Sequence, residues 1–191
     1  DFISSVGKIK TSVYGSFFLF EGLYEADRGD VANALLLDDD VSEGSRTWAY
    51  MIKTLGATIT TEAWNPVNKD NMTFSHPWGS SPAYAITNGI FGIKPTSAGF
   101  NTFDVKFCTD GINKAAVSVP CVKGKISASF DKSGNKSVYS VFVPANTTAT
   151  VYLPVENGKS VYLDGKAVEA VKDGNYFKIS VGSGNRSVEV K

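Results

Sequence analysis

A chain of 191 residues, 42% apolar and 20% charged, has room for one large globular domain or two small ones. Its 19 basic and 19 acidic residues give zero formal net charge, which excludes a general nucleic-acid binder, and no apolar run reaches the roughly 18 residues of a membrane-spanning helix. The neutrality hides an asymmetry: residues 1–99 carry eleven acids against seven bases, and residues 100–191 eight against twelve, as expected of two units with different surfaces.

The first hundred residues read as helices. Tyr14 to Ala26 is almost continuously apolar (Phe17, Phe18, Leu19, Phe20, Leu23), which predicts a helix nearly surrounded by protein. Gly29 is expected to break it, and Asp30 to cap a second helix running through Val31, Ala34 and Leu35 to Leu37. A third helix is expected from a Ser45 cap. In it Trp48, Met51, Ile52 and Leu55 fall at i, i+3, i+4 and i+7, with Gly56 as the stop. Ser81 and Pro82 predict a fourth, as N-cap and first helical residue, running through Ile86 and Ile90 to Gly92.

After about Phe100 the period changes to two. Ile126, Ala128 and Phe130 alternate with polar residues, as do Tyr139, Val141 and Val143, then Phe177, Ile179 and Val181. Turns are expected at Ser133-Gly134-Asn135, Asn157-Gly158, Asp164-Gly165 and Asp173-Gly174. About eight short strands with such turns predict an antiparallel β-sandwich over residues 100–191, joined to residues 1–99 by Lys94–Gly99. Cys108 and Cys121 both lie in this second unit, where they either pair across strands or stay as two buried thiols. With two cysteines and one histidine, a four-ligand zinc site is not expected, and no metal or cofactor is implied.

The segment Gly56 to Ser81 is richest in chemistry. So long a connection within a compact helical unit is uncommon without a functional reason. It holds Glu62, flanked by Thr61 and Ala63, together with Trp64, Trp78 and the only histidine, His76. Indole faces stack on the C–H faces of sugar rings, while carboxylates and imidazoles hydrogen-bond the hydroxyls. A carboxyl group beside aromatic rings is expected to have its pKa raised, which suits proton transfer. The alternative is a structured loop whose tryptophans fill gaps between helices.

The residues of this segment, Gly56-Ala57-Thr58 followed by Glu62-Ala63-Trp64-Asn65-Pro66 and Ser75-His76-Pro77-Trp78-Gly79-Ser80-Ser81-Pro82-Ala83-Tyr84, resemble bacterial α-L-rhamnosidases of glycoside hydrolase family 78. The resemblance extends to Gly15-Ser16-Phe17-Phe18 with Ala26-Asp27-Arg28-Gly29-Asp30, and to Gly92–Phe100 with the strands beyond. It implies part of an (α/α)6 barrel, about four of its roughly twelve helices, over residues 1–99, followed by a C-terminal β-sandwich over residues 100–191. By position Glu62 matches the general base of an inverting hydrolysis, and His76 and Trp78 match residues lining the sugar pocket, with Trp64 beside them. The family usually places an aromatic residue immediately before this glutamate; here it is Thr61.

The family's general acid lies on an earlier barrel loop, and nothing in residues 1–60 resembles it. The chain, which begins at Asp1 without an initiator Met or a leader, is therefore expected to be the C-terminal portion of a hydrolase of terminal α-L-rhamnosyl residues, inactive by itself. The expected partner is a rhamnose-containing glycoside or polysaccharide, with neither nucleic acid nor membrane, and the open barrel face is expected to drive self-association. The resemblance favours a periplasmic or extracellular setting. The reading from a different functional class is a non-catalytic carbohydrate-binding or scaffolding module.

Three other features carry less. Glu21, inside the apolar first helix, is expected to be paired to a neighbour rather than to face a pocket. Asp38-Asp39-Asp40 resembles the start of a calcium loop, but Gly44 comes one place late and Ala49 stands where the bidentate glutamate belongs, so it is read as an inter-helix turn. Ser75 adjoins His76 without a GxSxG elbow, which excludes a serine-nucleophile reading.

Overall fold

In the computed structural model, which describes residues 2–156 and 158–191, helices precede strands in the order that the patterning predicts. The helical unit ends at Ile86 and the β unit begins at Thr87. The division therefore falls before residue 100, and backbone hydrogen bonds explain why. Ile93 donates to the Thr87 carbonyl at 3.0 Å, Cys108 to Ile90 at 2.8 Å and Lys106 to Gly92 at 3.3 Å, so residues 87–93 are bound into the β unit. Gly92 is required there: its φ is +53°, and a Cβ would lie 2.5 Å from the Lys106 carbonyl oxygen.

The helical unit contains α1 (Phe2–Val6), α2 (Gly15–Glu25), α3 (Gly29–Leu36) and α4 (Ser81–Tyr84). Helix α2 buries a stripe of Ser16, Phe20 and Leu23 and leaves Phe18 71% exposed, so it is not surrounded by this chain. It ends at Glu25, and the chain turns at Asp27, whose φ is +54°, rather than at Gly29, which is the buried first residue of α3. Asp30 does not cap α3. Its carboxylate takes a forked pair from Arg28, at 2.9 Å from Nε and 3.0 Å from Nη2.

The third helical segment is capped two residues later than expected, because the Thr47 hydroxyl accepts the Tyr50 N–H at 3.0 Å while Ser45 donates to the Asp40 carbonyl. Its turns at Tyr50–Thr54 are π-wound, with Leu55 N–H bonded to the Tyr50 carbonyl at 3.1 Å. The wider winding carries Ile52 out of the apolar stripe, so it is 65% exposed while Trp48 and Met51 are buried. Ser81 likewise does not cap; its hydroxyl meets that of Ser16 at 2.7 Å in the interior, and α4 passes into a π-wound segment at Ala85–Ile90.

One core joins these pieces: Ile9, Val13, Phe20, Leu23, Ala32, Leu35, Trp48, Met51, Trp64 and Ala85. The acidic turn is closed by Lys8, whose ammonium lies 2.9 Å from Asp38 and 3.2 Å from Asp40. Glu21 accepts the Tyr84 hydroxyl at 3.3 Å, which is the paired role expected of it.

The β unit holds β1 (Lys94–Pro95), β2 (Thr102–Lys106), β3 (Lys114–Cys121), β4 (Gly124–Asp131), β5 (Ser137–Pro154), β6 (Val161–Leu163), β7 (Lys166–Val168), β8 (Val171–Asp173) and β9 (Tyr176–Val190). Strands β5 and β9 are long rather than short and pair antiparallel along their length, with a register break between Val143 and Thr148. Before the break β5 pairs antiparallel with β4; after it, β5 pairs parallel with β2. The intervening β3–β4 hairpin makes that one parallel pairing possible, since parallel neighbours need a crossover.

The break lets the sheet fold over itself. Phe107, just after β2, then reaches Tyr139 at 4.9 Å and Phe130 at 6.0 Å between ring centroids. The alternating residues Ile126, Ala128, Phe130, Tyr139, Val141, Val143, Ile179 and Val181 are all buried, while Phe177 is half-buried. Asp164-Gly165 forms the two-residue turn between β6 and β7, and the β8–β9 turn is Gly174-Asn175, one residue later than expected. Of the Asn157-Gly158 turn, Asn157 lies outside the described residues. Cys108 and Cys121 are free thiols, Cys108 buried and Cys121 half-buried. Among the described residues no helix is long and apolar enough to cross a membrane, and no three His, Cys, Asp or Glu side chains gather as a metal site would need.

Candidate active site

The segment between the third helical segment and α4 is ordered by its own hydrogen bonds. Glu62 N–H donates to the Thr73 carbonyl at 3.0 Å and His76 N–H to Thr60 at 2.9 Å, a short antiparallel clasp that brings residues 60–62 beside 73–76. The Thr60 hydroxyl donates to the His76 carbonyl at 2.8 Å, and the Asn65 amide to Ser45 at 3.0 Å. Gly79 permits a close approach, since a Cβ there would lie 2.7 Å from Val13 Cγ1. The chain can therefore turn tightly after Trp78 against the segment leading into α2.

Glu62 stands at the centre of this clasp. Lys69 Nζ donates to Oε1, while Oε2 accepts the Thr73 N–H at 3.0 Å and the Thr73 hydroxyl at 3.4 Å. The Lys69 hydrogen bond first, then the Thr73 N–H, hold the carboxyl down to about 2, outweighing the opposing effect of desolvation. The raised value expected from neighbouring aromatics is not found, because an ammonium and a backbone donor contact the oxygens directly. The group is a carboxylate throughout the neutral range.

His76 and Trp78 lie on the same side of the molecule as Tyr14, which packs against both. The Tyr14 ring centroid is 5.4 Å from that of His76 and 5.0 Å from that of Trp78. Trp78 is 72% exposed, so its indole presents a free face. The Thr73 hydroxyl, already bonded to Glu62, also lies 3.2 Å from His76 Nδ1. A cavity of about 390 Å3 opens beside Glu62, lined by Tyr14, Arg46, Trp64, Asn68 and Lys69 among others.

Trp64 does not join the exposed rings. It is 1% exposed, donates its Nε1–H to the Thr11 carbonyl at 2.9 Å and sits edge-on against Trp48 at 4.8 Å. It is a core residue that backs the Glu62 segment and forms part of the wall of the cavity beside it. Thr61, where an aromatic residue was expected from the resemblance, is fully buried and donates to the Ala63 carbonyl at 2.6 Å. The ring packed against His76 and Trp78 is that of Tyr14.

Sequence reasoning missed Tyr14, Lys69 and Thr73. No spacing rule links residue 14 to residues 76 and 78, and a lysine seven residues beyond a glutamate in a loop carries no signal. A larger groove of about 600 Å3 crosses the β unit, lined by small and polar side chains such as Ser118, Ser127, Ser129, Ser140 and Arg186. It gathers no chemistry comparable to that around Glu62.

Residues 2–90 match the model of the bacterial alpha-L-rhamnosidase 6 hairpin glycosidase domain, and residues 92–167 that of the bacterial alpha-L-rhamnosidase C-terminal domain. An alpha-L-rhamnosidase of Formosa agariphila is 25% identical over 179 residues, which are 86% of this chain and 19% of that protein. The structure of an alpha-L-rhamnosidase from Dictyoglumus thermophilum superposes with a TM-score of 0.85 at 19% identity, over 97% of this chain and 21% of that one. The Streptomyces avermitilis alpha-L-rhamnosidase, solved in complex with L-rhamnose, superposes with a TM-score of 0.83 at 23% identity, over 98% and 18%. The fold is thus that of a partial six-hairpin barrel and a β-sandwich, and the chain spans about a fifth of the length of these relatives.

Proposed function

The chain belongs to the bacterial α-L-rhamnosidase family, as the end of its six-hairpin glycosidase domain with its C-terminal domain, and from that premise we propose that Glu62 is the general base of an inverting α-L-rhamnoside hydrolysis. The observation that carries this reading is a carboxylate at a cavity lined by Tyr14, tied through Thr73 to an imidazole that packs, like the exposed Trp78, against the Tyr14 ring.

Inversion uses two carboxyl groups roughly 6.5–9.5 Å apart, with a water on one side of the sugar and the leaving oxygen on the other. Glu62 removes a proton from that water as its oxygen bonds to the anomeric carbon. An acid on an earlier barrel segment of the longer protein protonates the departing oxygen of the terminal rhamnosyl residue. Lys69 and the Thr73 N–H keep Glu62 in its accepting form and fix its direction. Trp78 stacks on the C–H face of the sugar and His76 hydrogen-bonds a hydroxyl. Trp64 holds the segment from behind.

The substrate is a rhamnose-containing glycoside or polysaccharide. Without the acid, the chain alone does not hydrolyse. The exposed Phe18 and Ile52 support burial against further barrel helices in the longer protein and self-association in their absence.

The test is Glu62→Gln in a protein carrying this chain with the rest of the barrel. Hydrolysis of an aryl α-L-rhamnoside is expected to fall by about 10²–10⁴-fold, the usual worth of a general base. Activity within about twofold of the parent, on the same scale, would overturn the assignment. The exposed Trp78 also favours a second reading, a non-catalytic sugar-binding module; inactivity of the longer protein together with rhamnose binding would select it.

A further inference from the structure

Thr73 stands between the two side chains that the proposed reaction uses, and its hydroxyl has one proton to give. Its oxygen lies 3.4 Å from Glu62 Oε2 and 3.2 Å from His76 Nδ1. An ionised carboxylate only accepts hydrogen bonds, whereas a neutral imidazole nitrogen accepts or donates according to its tautomer. Hydrogen bonds to a charged acceptor are roughly twice as strong as neutral ones, so the hydroxyl proton goes to Glu62. The Thr73 oxygen is then left as an acceptor, and the group facing it on the ring must be Nδ1–H.

We infer that Thr73 is a positioning residue that fixes His76 as the Nδ1–H tautomer, linking the imidazole to Glu62 and leaving Nε2 as a hydrogen-bond acceptor for the sugar. The inference rests on the reading of His76 as a sugar-holding residue. It adds a requirement on the ligand, since the sugar hydroxyl at Nε2 must donate. A methyl ether at that hydroxyl cannot donate and is rejected. The arrangement reverses the preference of free histidine, which carries its proton on Nε2. The local backbone makes it rigid, because Thr73 and His76 are both held by the clasp to residues 60–62.

His76 is the only histidine in the sequence, so one imidazole gives one unambiguous signal. The 191-residue chain, labelled with ¹⁵N at histidine, is examined at about pH 9, well above the ordinary histidine range. The Nδ1 resonance is expected at a protonated, pyrrole-like shift and Nε2 at an unprotonated, pyridine-like one. Thr73→Val should return the ring to Nε2–H, and Thr73→Ser should keep Nδ1–H. A parent spectrum showing Nε2–H overturns the inference even if Thr73→Val does not fold, and so does a folded Thr73→Val with an unchanged ring.

In the longer protein, Thr73→Val should lower kcat/KM by about tenfold and Thr73→Ser by less than about threefold, the scale of one charge-assisted hydrogen bond. Equal losses in the two variants would count against a role for the hydroxyl. The tautomer is read without hydrolysis, so its failure and the failure of Glu62 as base are separate results.

Discussion

The two units are held together by different means. In the β unit the backbone supplies most of the order: β5 and β9 run side by side for most of their length, and their inward residues close a core of Phe107, Phe130, Tyr139 and the valines around them. In the helical unit the segment that carries Glu62, His76 and Trp78 has almost no ladder. Beyond the backbone clasp of Glu62 to Thr73 and His76 to Thr60, it is fastened by side chains bonding to backbone, namely Trp64 to Thr11, Asn65 to Ser45 and Thr60 to His76, and by the Lys69–Glu62 ion pair. A backbone ladder tolerates changes in outward side chains. A loop fastened by named side chains can present polar groups in a fixed geometry, but loses that geometry when one fastening is removed.

The largest expected effects test the two cores. Phe107→Ala should cost the β unit about 3–5 kcal/mol, as large aromatic truncations in cores do, and Trp64→Ala should cost the helical unit a similar amount. Urea unfolding followed by hydrogen exchange separates the two. If Phe107→Ala loosens both units equally, the division at Ile86 is not an energetic one. Trp64→Ala should also disorder the clasp, seen as faster exchange of the Glu62 and His76 amides.

A smaller effect separates side-chain fastening from backbone fastening through pH. Glu62 is held at about 2 mainly by Lys69, so in the folded chain its carboxyl ¹³C resonance should titrate near there. In Lys69→Met it should move up towards the ordinary glutamate value of about 4.3. The sign follows from the depressed value. The stabilisation is complete above the ordinary glutamate range and is lost as pH falls from about 4.3 towards 2. An unchanged titration in Lys69→Met would mean that the Thr73 N–H alone holds the charge.

The smallest expected effect lies in the β unit and changes no stability. Burial pushes the Cys108 thiol up to about 12, with Asp110 adding to it, whereas Cys121 is half-buried at the end of β3. At neutral pH a thiol reagent should label Cys121 first and Cys108 only as the β unit unfolds. Simultaneous labelling would show that the interior around Cys108 opens locally.

Much of the β unit was legible because a period of two leaves little choice of face. Ile126, Ala128, Phe130, Tyr139, Val141 and Val143 lie inward as the alternation requires. The parallel pairing of β2 with β5 was not legible, since it depends on a break in register at Val143–Thr148 that no local residue announces. Among the helices, positions were legible and caps were not. Asp30 and Ser45 are good capping residues that found other partners in Arg28 and the Asp40 carbonyl, local competitors only two and five residues away. Trp64 and Trp78 look alike in sequence, yet Trp64 packs into the core against Trp48 with its N–H on the Thr11 carbonyl while Trp78 remains on the surface.

The sequence by itself determined the order of helices and strands, the inward faces of the strands, and the segment where carboxylate, imidazole and indole gather. Those follow from periodicity and residue chemistry, which are local. Tertiary structure alone decided that the Glu62 pKa is lowered rather than raised, that Tyr14 is the ring packed against His76 and Trp78, and that Thr73 stands between His76 and the carboxylate. Tyr14 arrives from a distant part of the chain, while Lys69 and Thr73 lie 7 and 11 residues from Glu62 in an irregular loop whose path no periodicity announces; a pKa or a hydrogen bond is set by what lies within a few ångströms in space.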